Sequence, residues 1–592
     1  MKSERFFNWV FPSLFLIGLF YLFIGIRTGL NVYDEGLSVY GAARILHGEI
    51  PYRDFWTIYA PGQFYVLALL FHFFGPSLMV ERIFSGLIHF SIVLLMYWLA
   101  NKLVSRRLAL ITMFLGFLWV GSFGFFASPT PPAILLSLLS CLCLTDYFFT
   151  PEKKRYLWLG GVFAGLVILF RHDLGFYLFL TGTVFVILFA SKDLFRNRDR
   201  LREKLFRSLK IYSRYLMGTA AVVLPVAIFF IYHVPVQEII SDLIIFPVKT
   251  FPQFRSLPYP GPIPDLIPMI RGGQSVFDFF LAGFERFSFY FPLVVFCVTG
   301  LTVIIRFRKE KDFSSRGWSI ALFLLLGVIF FNQARVRSDT AHLLPTMILA
   351  IILFPSLLSN EPQDHSPLKN HMIFRGFLYG FTPLESPAIH GGDDINEISI
   401  PHRKGGVKAL SFLTGFTLLA IISFSYYSVN LQWQNLSHFL SPGHLRLLNL
   451  DRAQGIYIQP SEGEPLEQAI RMIQRCVPRG EKIFVGHSRH DMIFANDIMF
   501  YFLSERDSAT KYHELHPGLA TTRSIQNEII REIIKQNVNY IVLWNNPEKV
   551  VEPNKSNESS GITDLDDFIH SRYQIMKNLG PYAILKKKDH EI

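Results

Sequence analysis

An acidic pair, Asp34 and Glu35, begins a few residues after the first long apolar run of the chain. A carboxylate at a membrane edge can take a proton from an acceptor hydroxyl while a lipid-borne substrate arrives sideways. The plainer reading has Asp34 cap the amphipathic stretch 36–47, with Gly48 ending it. Arg44, Tyr52, Arg53, Asp54, Trp56 and Tyr59 make the surrounding loop polar and aromatic, which favours binding, with Tyr52 and Arg53 as substrate contacts.

Three further groups are rich in guanidinium, which suits a phosphate through its planar fork. Arg171-His172-Asp173 sits at the end of an apolar run; Arg171 either grips a phosphate or snorkels to the interface with Asp173 as its partner. Arg335, Arg337, Asp339 and His342 follow another run. There Arg335 and Arg337, within three positions, could stabilise a phosphate leaving group, with Asp339 fixing an arginine or a sugar hydroxyl; anchoring and helix capping are the alternative. Lys249 and Arg255, in a Pro-rich segment, could extend a phosphate clamp or be a solvated pair. His487, His490 and Asp491 (GHSRHD) read as caps and turns more readily than as an acceptor site. Cys141, Cys143, Cys297 and Cys476 read as packing residues, and His233, His365, His371, His390 and His402 lack metal-ligand spacing.

The elements that must carry these groups follow from composition. The chain has 592 residues, of which 51% are hydrophobic and only 17% charged, and 59 are Phe. A water-soluble surface needs about a quarter of its residues charged, so an ordinary cytosolic enzyme, a disordered chain and a fibre are excluded. Apolar runs at 6–26, 80–101, 108–126, 132–149, 156–170, 174–190, 214–232, 287–305, 318–333, 342–358 and 408–428 are expected to cross a bilayer. The net charge of +11 sits in short clusters between these runs, which orients a polytopic membrane protein and argues against nucleic acid. The shorter run 62–75 decides the topology. Laid in the outer interface, it puts Lys102/Arg106/Arg107, Lys153/Lys154/Arg155, the basic stretch 192–214 and Arg306–Lys311 on the cytoplasmic side with the N-terminus. The expectation is therefore eleven spans in a transmembrane module over 1–430, with 27–79 and the Pro-rich loop 233–286 outside. Loop 233–286 should be an irregular cover and 359–407 a flexible cytoplasmic insertion.

After 431 the pattern changes. Helical periodicity at 464–476 and 524–537 alternates with β-rich runs at 481–486, 539–544 and 582–587, which implies a small extracytoplasmic α/β domain. It has no nucleotide-binding loop.

The first outer loop resembles that of GT-C-type membrane glycosyltransferases, the group holding the protein O-mannosyltransferases and bacterial aminoarabinose transferases (family 39-like). The resemblance lies in YDEG at 33–36, ARILHGEIPYRDF at 43–55, APGQFYVLALLFHFFG at 60–75 and ERIFS at 81–85. It implies a GT-C fold, a polyprenyl-phosphate-linked sugar as donor, a glycan, lipid or protein as acceptor, and inverting transfer on the outer face of the membrane. By the same resemblance Asp34 matches the catalytic carboxylate and Glu35 its acidic neighbour. The turn ASPTPP at 127–132 lacks the second acidic residue of some relatives, so Asp173 or Asp339 would supply it or none is needed. No obligatory metal is expected, although a divalent ion is possible. A lipid-linked-sugar flippase without chemistry is the alternative. It should show charged or broken helices at mid-membrane and an internal repeat; neither is evident.

Overall fold

In the computed structural model, described residues are 2–124, 128–192, 201–264, 276–309, 313–359, 404–545 and 552–588. Each of the eleven expected spans falls on a helix: α1 (Lys2–Phe23), α4 (Leu78–Leu103), α5 (Arg106–Val120), α6 (Thr130–Phe149), α7 (Arg155–Phe170), α8 (His172–Ala190), α9 (Leu201–His233), α12 (Val276–Lys309), α13 (Ser315–Val336), α14 (Thr340–Leu358) and α15 (Lys404–Leu440). Among the described residues eight helices are long and apolar enough to cross a membrane. The boundary expected at residue 430 falls inside α15, which continues to Leu440.

The helices pack through one apolar core in which α4–α8, α13 and α14 contribute most of the buried side chains. Small residues set the closest approaches. A Cβ on Gly161 would meet the Tyr215 carbonyl oxygen at 2.0 Å, so α7 and α9 touch backbone to backbone.

Between α1 and α4 lie two shorter helices, α2 (Asp34–Leu46) and α3 (Gly62–Phe74). Residue 62–75 is thus helical as expected. The expected irregular cover over 233–286 is different. It opens with α10 (Val236–Ile240), a π-helical stretch Ser241–Thr250 and α11 (Phe251–Arg255). Two prolines are accommodated rather than breaking it: Pro252 occupies a first-turn position where no N–H is needed, and Pro247 falls within the wider π-helical turns. Within the described part of that loop, 234–235 and 256–264 lie outside the helices. The expected insertion 359–407 lies almost wholly outside the described residues.

The C-terminal region contains α16 (Pro460–Cys476), α17 (Met499–Ser504), α18 (Arg523–Lys535) and α19 (Asp564–Arg572) around a sheet. The sheet runs β3 (Phe484–His487), β4 (Tyr540–Trp544), β6 (Tyr582–Lys587), β5 (Tyr573–Leu579), after a small pair β1 (Arg446–Leu447) and β2 (Tyr457–Ile458). Strands β3 and β4 are parallel, and the β4–β6 and β6–β5 pairs are antiparallel. The β-rich runs located β3, β4 and β6; the two-residue β1 and β2 escaped, as did β5, whose Ile575 and Met576 stand side by side without apolar alternation.

This region does not stand apart from the first loop. Leu37, Tyr40, Phe64, Leu67 and Phe71 of α2 and α3 share a core with Ile470, Val485, Phe500, Phe502 and Ile584. Each such side chain contributes about 1.5–3 kcal/mol by leaving water. Gly36 permits the docking: a Cβ there would meet the backbone nitrogen of Met499 at 2.5 Å, and that nitrogen donates to the Val32 carbonyl at 3.0 Å.

Candidate functional site

One cavity of about 210 Å³ opens where the turn after α1, the α5–α6, α7–α8 and α13–α14 turns, segment 251–255 and residues 514–516 converge. Asp34, Arg171, Arg255, Arg337, Asp339 and His342 all line it, so six sequence-predicted residues from four distant segments are brought together.

Asp34 is the first residue of α2, yet it does not cap it. Asn31 takes that task, its Oδ1 accepting from the backbone N–H of Tyr33 at 3.2 Å and of Asp34 at 2.8 Å. The Asn31 amide also donates to Asp34 Oδ2 at 3.3 Å. The carboxylate is thus held at one edge and faces the cavity. Burial pushes its proton affinity up, opposed by the Asn31 amide and by the charges of Arg255, His342 and Arg337.

Glu35 is placed differently from its expected catalytic role. It is fully buried outside the cavity, where Arg82 grips it with Nε to Oε1 at 2.7 Å and Nη2 to Oε2 at 3.0 Å. Arg82 also donates to the carbonyls of Ile26 and Gly29 at 3.1 and 2.8 Å. The pair ties the end of α1 to α4, a scaffold under Asp34. Tyr52 and Arg53 are outside the cavity as well. Tyr52 is buried at a positive φ of 68°, its hydroxyl donating to the Tyr59 carbonyl at 2.8 Å, so it shapes the loop. Arg53 is exposed and paired with Asp54 at 2.6 Å. Lys249 is exposed on the π-helical stretch and also lies outside the lining.

The arginines differ in what they have left to offer. Arg171 donates to both oxygens of Asp173 at 3.0 and 2.8 Å, to Thr130 Oγ1 at 2.7 Å and to Gln333 Oε1 at 3.0 Å. Arg337 donates to Asp339 at 2.7 Å, to both oxygens of Glu552 at 3.0 and 2.6 Å, and to the Arg255 carbonyl at 2.6 Å. Asp339 in turn caps α14 through the His342 N–H at 2.9 Å, and its proton affinity falls to about 2. The pairing and capping alternatives are therefore realised at both clusters. Among the described residues Arg255 is the least engaged of the three: its guanidinium lies 4.5 Å over the Phe494 ring and makes one long bond, 3.5 Å, to the Phe494 carbonyl.

Sequence reasoning missed the contribution from 514–516. Glu514 accepts from the Tyr33 hydroxyl at 2.9 Å, and burial raises its proton affinity to about 8. His516 is enclosed by the rings of Trp56, Phe246 and Phe251, and burial lowers it to about 3. It is therefore a neutral imidazole whose Nδ1–H donates to the Pro517 carbonyl at 2.8 Å. No local motif marks these residues. The GHSRHD residues that did stand out are elsewhere: His490 pairs with Asp566 at 2.7 Å and Asp491 with Arg489 at 2.6 Å, and none of them lines the cavity.

Among the described residues no three His, Cys, Asp or Glu side chains are grouped to hold a metal ion, and Asp339 and Asp173 are already engaged by arginines.

No protein-family model matches the chain. An uncharacterized protein of Aquifex aeolicus is 26% identical over 355 residues, 55% of this chain and 80% of that one. Among solved structures, ArnT from Cupriavidus metallidurans bound to undecaprenyl phosphate is similar over 98% of both chains, with a TM-score of 0.49 and 13% identity. The archaeal oligosaccharyltransferase AglB from Archaeoglobus fulgidus, in complex with an inhibitory peptide and a dolichol-phosphate, is similar over 91% of this chain and 70% of that one. Its TM-score is 0.48 at 12% identity.

Proposed function

We propose that the protein is an integral-membrane inverting glycosyltransferase that moves a sugar from a polyprenyl-phosphate donor to a hydroxyl of a glycan, lipid or protein acceptor. The observation that carries this reading is Asp34, a carboxylate facing a cavity that also presents Arg171, Arg255 and Arg337. A glycosyl phosphate already has a good leaving group and needs little acid help. It needs a base on the acceptor and positive charge at the departing phosphate. Asp34 Oδ takes the acceptor proton as the acceptor oxygen attacks C1 in line. The C1–O bond to phosphate breaks, and the electron pair leaves on the polyprenyl phosphate. Arg255, with unused donors, contacts that phosphate directly. Arg171 and Arg337, held by their carboxylates, contribute the positive field around it.

The cavity end of the bundle is read as extracytoplasmic. Lys102, Arg106, Arg107, Lys153, Lys154, Arg155, Arg306 and Arg308 all flank the turns at the other end, as the positive-inside rule requires of a cytoplasmic face. The C-terminal region then lies outside, over the cavity. The test is deletion of the gene followed by lipid extraction. One polyprenyl-phosphate sugar should accumulate and one surface glycan should lose a residue. An unchanged lipid-linked sugar pool would remove the proposal.

A further inference from the structure

We propose that Glu514 is a substrate-binding residue whose neutral carboxyl group donates a hydrogen bond to a hydroxyl oxygen of the sugar-bearing ligand. The inference rests on the glycosyltransferase reading and deepens it by naming the chemistry that Glu514 brings to the cavity.

Glu514 lines the cavity and is 1% exposed. Its two oxygens are treated unequally. Oε1 accepts from Tyr33 at 2.9 Å, whereas Oε2 is buried with no hydrogen-bond partner among the described residues. A structural bridge from the C-terminal region to the first loop accounts for Oε1 alone. A buried polar oxygen left unpaired costs about 1–3 kcal/mol, a cost relieved when a ligand supplies the partner.

The groups facing Glu514 decide its charge. They are Tyr33 and Asp34 from the start of α2, Tyr59 from the first loop, Asp242 and Arg255 from segment 236–255, and His516 from its own segment. Two carboxyls in one desolvated space do not both ionise cheaply. Asp34 has the Asn31 amide and the charges of Arg255, His342 and Arg337 to support its anion, while Glu514 has a phenol and Arg255 alone among these cations. The proton therefore resides on Glu514. Its free oxygen then presents an O–H, which suits a neutral polyol; an ammonium would need the anion instead.

The test uses the full-length protein returned to cells lacking the gene, scored by clearance of the lipid-linked sugar that accumulates in its absence. Glu514→Gln keeps an acceptor for Tyr33 and a donor for the ligand, and is expected to clear the lipid within about three-fold of wild type. Glu514→Ala should lose about ten-fold or more. In isolated membranes the wild-type rate should fall between pH 7 and 9, near the Glu514 ionisation at about 8, and the Glu514→Gln rate should not. Infrared spectra of the purified protein should contain a protonated-carboxyl band lost over that interval and missing in Glu514→Gln. Full activity in Glu514→Ala would reduce Glu514 to a docking residue and overturn the proposal. So would an inactive Glu514→Gln beside an active Glu514→Asp, which is the pattern of an anion holding an amine. Failure of the underlying reading shows separately: Asp34→Asn would then clear the lipid like wild type, whatever the infrared band does.

Discussion

Arg337 and Glu552, 215 positions apart, form a two-pronged ion pair at 3.0 and 2.6 Å on the rim of the cavity. Both side chains are largely sheltered, 13% and 9% exposed, so the pair clamps the C-terminal region onto the α13–α14 turn. Asn554 adds a bond to the Ser256 carbonyl at 2.9 Å on the same seam. Glu552→Ala should cost about 2–5 kcal/mol, mostly by leaving Arg337 under-compensated. The check is thermal unfolding of the purified protein together with limited proteolysis across 545–560. An unchanged midpoint and cleavage pattern would mean the clamp carries no load.

Asp34→Asn should reduce sugar transfer by about 10²–10⁴-fold, the usual contribution of one general base. Its fold should persist, because Asn31 rather than Asp34 caps α2. Turnover of the accumulated lipid measures the first and the thermal midpoint the second.

Arg255→Ala and Arg171→Ala should fail in different ways. Arg255 has donors to spare among the described residues, so its loss should weaken binding of a polyprenyl phosphate by roughly ten-fold or more with little change in unfolding temperature. Arg171 serves Asp173, Thr130 and Gln333, so its loss should destabilise the helix bundle as well. Ligand-induced thermal shifts on both variants separate the two; equal behaviour would contradict the division of labour.

Gly36→Ala should destabilise by about 1–3 kcal/mol, since the new methyl meets backbone that cannot swing aside. A variant as stable as wild type, by thermal unfolding, would show that α2 and Met499 are not closely docked.

Asp497 provides a pH test independent of the cavity. It is buried, accepts from the Tyr582 hydroxyl at 2.7 Å and the Phe500 N–H at 3.0 Å, and burial raises it to about 7. The folded protein thus holds this proton more tightly than the unfolded chain, whose Asp titrates near about 3.9. Its contribution is full below that value and declines as pH rises towards about 7. Glu514 acts in the same direction up to about 8. Unfolding midpoints measured from pH 4 to 8 should fall less steeply in Asp497→Asn than in wild type. Parallel curves would count against a buried, raised Asp497.

What the chain's order of residues determined is local or repetitive. Runs such as 132–149 and 342–358 became helices because a long apolar stretch must satisfy its backbone internally. Asp34 stood out as a carboxylate a few residues past an apolar run, and the resemblance of YDEG at 33–36 to the first outer loop of GT-C-type glycosyltransferases implied its catalytic role. Arg171, Arg337 and Asp339 were visible because ionisable groups at the end of an apolar run are costly and therefore informative. What the tertiary structure alone decided is which of these groups still has bonds to give. Glu35 and Asp34 are chemically alike and adjacent, yet Arg82, 47 positions from Glu35, buries one and leaves the other facing the cavity. Arg337 is occupied by a glutamate far along the chain, while among the described residues Arg255 meets an aromatic face and a carbonyl at 3.5 Å. Glu514 reaches Tyr33 across 481 positions with no motif to announce it. Charge and hydropathy are properties of single residues and short windows. The saturation of a guanidinium or the loneliness of a carboxyl oxygen depends on partners that only the folded chain brings within 3 Å of one another.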